Sequence, residues 1–114
     1  MDLRPSARYV TVMYSARDQV ENAEWIDEIE ATAERLDLES ATRSRAADLF
    51  LSNIPDSERS KRAVAATSIY VAGLVEGDQR TQQEVADAAD VSRLTVSKRW
   101  KEMLEGAGLD APSW

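Results

Sequence analysis

From residue 18 to residue 104 the apolar positions recur at steps of three and four, the period of an α-helix with one face on a core. Trp25, Ile29, Ala33 and Leu36 follow at four, four and three, which predicts a first helix within 18–39. After a break near "LDLES", Ala46, Ala47, Phe50, Leu51 and Ile54 repeat the spacing and predict a second helix that stops before Pro55, a residue that cannot continue a helix cheaply. "PDSERS" reads as a turn, with Ser60 placed to cap a third helix over 61–76. In that third helix Ala63, Val64, Ala65, Ala66, Ile69, Tyr70, Val71, Ala72, Leu74 and Val75 cover almost the whole circumference. A helix apolar all round belongs in the middle of a bundle, and its alanines let neighbours approach closely. Gly77 is placed to close it.

The next stretch carries the sharpest local signals. Thr81 followed by Glu84 is a capping-box pair, so a fourth helix starts there and buries Val85, Ala86 and Ala89. Asp90 stands where the chain must turn, a residue type that tolerates the left-handed conformation. Val91 plugs the turn, Ser92 caps a fifth helix, and Val96, Trp100 and Met103 bury it. That leaves Ser92, Arg93, Leu94, Ser97, Lys98 and Lys101 on the outer side. The order is that of a helix-turn-helix, whose second helix enters the major groove of duplex DNA.

Residues 1–17 differ: in "RYVTVMYS" Tyr9, Thr11 and Met13 alternate with Val10, Val12 and Tyr14, a pattern for a short strand or an extended arm. A lone strand in a helical chain either lies on the helical body or pairs with a second copy. The expected organisation is an N-terminal arm over 1–17, one all-α domain over 18–106 and a tail over 107–114.

Charge sharpens the picture. The net charge is -7, yet residues 92–101 hold four bases and no acid, so the local field of the fifth helix is positive. Residues 18–39 hold nine acids and one base, which reads as a solvated helix face. Acids outnumber bases 21 to 14 and only three bases are lysine, a bias that fits a halophilic origin. Cysteine and histidine are absent, which removes disulfides, thiolate and imidazole metal sites, and nucleophilic or acid–base mechanisms built on those residues. No catalytic constellation, metal site or cofactor is expected. The longest apolar-rich stretch, 63–75, is shorter than a membrane span, so a cytoplasmic protein with no membrane partner is expected.

The segment "RSKRAVAATSIYVAGLVEGDQRTQQEVADAADVSRLTVSKRWKEML" (59–104) resembles the second cyclin-type repeat of transcription initiation factor B. The family's small-apolar third helix with Ile-Tyr at its centre appears as Ala65, Ala66, Ile69, Tyr70 and Ala72; its Arg-Thr-Gln opening of the fourth helix appears as Arg80, Thr81 and Gln82; its fifth-helix pattern appears as Val91, Ser92, Thr95, Trp100 and Lys101. The resemblance implies a five-helix cyclin box whose fifth helix reads DNA beside the TATA box. By position it places Leu94, Thr95 and Ser97 in the groove, Ser92, Arg93, Lys98 and Lys101 on or near it, and Arg80, Thr81 and Gln82 at a phosphate. Two departures stand out: the helix-turn-helix has Asp90 where glycine commonly occupies the turn, and Ser97 stands where the family commonly has an arginine. A full factor also has a zinc ribbon, a linker and a first repeat that grips the TATA-binding protein. None fits in 114 cysteine-free residues, so the expectation is a free-standing single cyclin box.

Two functions follow. One is a DNA-binding transcription regulator on double-stranded promoter DNA, dimeric because a single module buries only about 600 to 1,000 Å² on DNA. The other is a protein-interaction module for the TATA-binding protein, polymerase or another transcription factor, with no sequence-specific DNA contact. A helix-turn-helix that only packs, or a basic helix that pairs with the acidic first helix of a second molecule, remain open beside them.

Overall fold

The computed structural model describes residues 22–55 and 57–108, and of the side chains at 58 and 59 nothing is said. Five α-helices form in the expected order: α1 Ala23–Arg35, α2 Ser40–Ser52, α3 Glu58–Glu76, α4 Gln82–Ala89 and α5 Arg93–Gly106. Among the described residues there is no strand, and no helix is long and apolar enough to cross a membrane. The expected arm at 1–17 and most of the tail at 107–114 lie outside the described residues.

The centre is α3. Every residue from 63 to 73 is buried, and α3 packs against each of the other four helices. Two hydroxyls inside this run are satisfied within the helix: Thr67 donates to the Ala63 carbonyl at 2.8 Å and Ser68 to that of Val64 at 2.7 Å. That back-bonding lets polar residues sit in an apolar interior without leaving a group unmatched. Gly73 belongs here for space, because a Cβ on it would lie 2.9 Å from the backbone oxygen of Asp78. The chain folds back tightly at this point: Gly77 adopts φ 72°, ψ 27°, and the Asp78 amide donates to the Gly73 carbonyl.

α1 and α2 clad one side. Ile29 and Ala33 are buried while Trp25 and Leu36 pack half-buried against the core, so the predicted stripe of α1 is the one used. Asp37, at φ 56°, ends the helix region, and Leu38 turns inward at the corner. Phe50 is fully buried, with its ring centroid 6.5 Å from that of Trp25. The cap of α3 corrects the expectation at Ser60. Ser57 is the N-cap, its hydroxyl accepts from the Ser60 amide at 3.2 Å, and the helix starts at Glu58, three residues before the expected start.

α5 is seated on α3 by aromatic contact. Trp100, 6% exposed, meets Tyr70 edge-on with centroids 5.7 Å apart, and Val96, Met103 and Leu104 complete the buried face. An edge-to-face pair contributes about 0.5–1.5 kcal/mol beyond burial. Trp100→Ala is therefore expected to lower unfolding free energy by about 3–5 kcal/mol. Urea titration followed by circular dichroism checks this, and a loss under about 1 kcal/mol would show that the indole does not anchor α5.

Candidate nucleic-acid interface

The outward face of α5 is built by the residues that start α4 and turn the chain. Thr81 caps α4 in a reciprocal box: its hydroxyl accepts from the Glu84 amide at 3.0 Å, and its amide donates to the Glu84 carboxylate at 2.9 Å. Those bonds, first that from the Thr81 backbone amide, hold the Glu84 carboxyl below its ordinary value. Asp90 takes the left-handed conformation, φ 60° and ψ 47°, in the place where glycine would be the easier choice. The Val91 amide then donates to the Ala86 carbonyl at 3.0 Å, and its side chain packs against the core. Ser92 caps α5, its hydroxyl accepting from the Thr95 amide at 3.3 Å and lying 3.0 Å from the Thr95 hydroxyl. The two helices and their turn form where the sequence placed them.

With Val96, Trp100, Met103 and Leu104 buried, the opposite arc of α5 faces solvent. Ser92, Arg93, Lys98 and Lys101 are exposed, Thr95 and Ser97 are half-buried, and Leu94 is 56% exposed. The Lys101 ammonium rests 5.6 Å from the Trp100 ring centroid. Among the described residues no carboxylate lies within ion-pair distance of Arg93, Lys98 or Arg99. Arg99 was missed by the sequence reading. Its signal was present, as a base in the same run, but it sits on the flank of α5 and not at the centre of the outward arc.

Other arginines are occupied by their own chain. Arg35 donates to the Ala88 carbonyl at 2.8 Å, which ties the end of α1 to the end of α4. Arg43 pairs with Glu30 and Arg45 with Glu76. Arg80, expected at a phosphate beside Thr81 and Gln82, is in this group. Its guanidinium donates to the carbonyls of Leu36 at 3.0 Å and Asp37 at 3.2 Å and pairs with the Asp78 carboxylate at 3.0 Å. A nucleic-acid phosphate at Arg80 would have to compete with those bonds, which brace the α3–α4 connection. Thr81 is exposed and Gln82 half-buried at the first turn of α4.

Asp78 is the counterpart that makes this connection rigid. One carboxylate oxygen accepts from the Glu39 amide at 2.9 Å and the Thr42 hydroxyl at 3.0 Å, and the other meets Arg80. The Glu39 amide first, then Thr42 and Arg80, hold this carboxyl below its ordinary value of 3.8. One side chain thus joins the start of α2 to the loop that leads into α4.

A family model described as the transcription factor TFIIB repeat matches residues 18–106. The chain belongs to the TFIIB-repeat family. Transcription initiation factor IIB 2 of Thermococcus kodakarensis is 32% identical over 90 residues, covering 76% of this chain and 29% of that protein. Transcription initiation factor IIB of Pyrococcus abyssi is 35% identical over 89 residues, covering 75% and 30%. The factor of Methanococcus maripaludis is 44% identical over 54 residues, 47% of this chain and 16% of that protein. This TFIIB repeat spans about three tenths of the length of the first two relatives. The five helices and their packing are those of an all-α, cyclin-box-like domain, as the sequence resemblance implies.

The depressed carboxyl of Asp78 gives a pH test. A carboxyl lowered in the folded state contributes stability that is present above its unfolded pKa and lost as pH falls through its folded pKa. Asp78→Ala is expected to cost about 1–3 kcal/mol at neutral pH, because it strands a buried hydroxyl and a backbone amide. The difference from the parent should shrink below about pH 4. Denaturant titrations of both proteins at a series of pH values check this, and a pH-independent difference would contradict it.

Proposed function

We propose that this TFIIB repeat is a DNA-binding transcription regulator in which α4, the Asp90 turn and α5 act as a helix-turn-helix, with α5 lying in the major groove of promoter DNA. The observation that carries the reading is the contrast among cations. Arg35, Arg43, Arg45 and Arg80 are held by their own chain, whereas Arg93, Lys98 and Arg99 have no carboxylate within ion-pair distance among the described residues. Unneutralised cations on one helix face attract a polyanion and release its counterions. Arg93, Lys98 and Lys101 meet phosphates, while the Ser92, Thr81 and Gln82 side chains stand at the first turns of α5 and α4, where backbone contacts fix register. Leu94 and Thr95 face the base edges, with Ser97 at the margin of that set. Ser97 lacks the paired donors that an arginine presents to guanine, and exposed Leu94 offers an apolar contact that suits a thymine methyl. The preferred element therefore leans on thymine more than on guanine.

A second reading has its own observation. Glu24, Asp27, Glu30 and Glu34 are exposed along α1, a surface suited to a basic protein partner such as the TATA-binding protein or polymerase, and a second copy of the chain would make a homodimer. Binding of labelled duplex at low salt separates the two readings. Arg93→Ala and Lys98→Ala are each expected to weaken binding roughly tenfold, since a hydrogen bond to a charged group contributes about 1.5–3 kcal/mol. Their thermal melting curves should match the parent's. Unchanged affinity in both variants would refute the DNA reading and leave the acidic face of α1 as the working surface.

A further inference from the structure

Two arginines that the sequence pattern leaves without a role, Arg62 and Arg99, meet in space. A groove of about 470 Å³ runs between the first turns of α3 and α5, and both side chains line it together with Lys98. Among the described residues that line it there is no carboxylate. Ala63, Val91 and Leu94 contribute apolar surface. Arg62 is held by Trp25, its guanidinium carbon 5.5 Å from the ring centroid, a contact with the face of the group that does not use up its N–H donors.

Helical geometry relates this groove to the DNA-facing arc. At about 100° per residue, the solvent side of α5 runs in the order Ser97, Lys101, Leu94, Glu105, Lys98, Glu102, Thr95, Arg99, with the two glutamates in its C-terminal half and the residues before Lys101 free of acids. Leu94, Lys98 and Thr95 are central, Lys101 and then Ser97 lie toward one edge, and Arg99 lies at the other. An α-helix with its side chains, about 10–12 Å across, fills a major groove about 12 Å wide, so a sugar-phosphate strand passes along each flank.

We propose that Arg62 and Arg99 clamp one backbone strand of the bound duplex, with phosphodiester oxygens between two guanidinium groups and deoxyribose against the apolar floor. The proposal rests on the DNA reading above and adds a contact from α3, a helix outside the α4–α5 unit. Planar guanidinium donors suit phosphate oxygens better than a point charge does. Continuity with Leu94 and Lys98, which belong both to the groove and to the central arc, favours a nucleic-acid strand over an acidic protein segment.

The test measures affinity of the full chain for a labelled duplex of random sequence at several salt concentrations, for the parent, Arg62→Gln, Arg99→Gln and the double variant. Each removed phosphate contact lowers the slope of log affinity against log salt by about 1, so the double variant should lose about 2. Arg62→Lys should keep most of the slope, which separates charge from packing on Trp25. Arg45→Gln, whose guanidinium pairs with Glu76, should leave it unchanged. Melting curves confirm that each variant is folded. If the parent binds with a salt-dependent affinity and the glutamine variants show the parent's slope, the clamp is wrong while the DNA reading stands. If the parent binds no duplex, both fall. If the slopes are unchanged but Arg99→Gln abolishes self-association in sedimentation, the groove holds an acidic segment of a second copy and the proposal is overturned.

Discussion

The burial of α3 on all sides is the constraint from which the rest of the structure follows. A helix whose residues 63 to 73 are all inside needs cladding around its whole circumference, and the remaining four helices supply it. Small side chains there let the cladding approach closely, and the few large ones decide orientation. Tyr70 matters most in this respect, because Trp100 meets its ring edge-on and so fixes the rotation of α5 about its own axis. Once Trp100, Val96, Met103 and Leu104 face inward, helical geometry leaves Leu94, Lys98 and Lys101 no direction but outward. The polarity of the surface is thus set by packing in the interior.

A second constraint fixes where α4 begins. The connection after α3 is pinned by Asp78, which reaches the start of α2, and by Arg80, which reaches the carbonyls that end α1. Arg35 holds the far end of α4 through Ala88. These contacts are polar and lie near the surface, so they contribute modest stability individually. Their value is geometric, since they join α1 and α2 to the unit that carries the cations. They also dispose of positive charge: the arginines that brace the scaffold are matched locally, and those of α5 have no such match among the described residues.

Local signals made most of this legible in advance. The capping box at Thr81 and Glu84, the turn at Asp90, the cap at Ser92 and the spacing of Val96, Trp100 and Met103 are each complete within a few residues, so the sequence alone placed α4 and α5 correctly. The same holds for the inward stripe of α1 and the all-round apolarity of α3. What failed was ambiguous or non-local. "PDSERS" offers two serines as caps, and the one three residues earlier is used because its hydroxyl reaches the Ser60 amide. Leu38 and Thr42 lie at a corner with no periodicity, and they are buried because Asp78 and the end of α1 close over them. Arg80 was placed at a phosphate by resemblance; its bond to the Leu36 carbonyl, 44 positions away, has no local signal in the sequence. Arg62 and Arg99 likewise come together only through the fold.

An acidic domain whose fifth helix opens with cations that no described carboxylate pairs is the central claim, and residue-resolved NMR titration of the folded chain with duplex DNA at low salt tests it most directly. The amides of residues 92–101 and of the first turn of α4 are expected to shift, while those on the exposed face of α1 stay in place. Shifts confined to α1 and α2, with α5 unmoved at saturating DNA, would contradict the account.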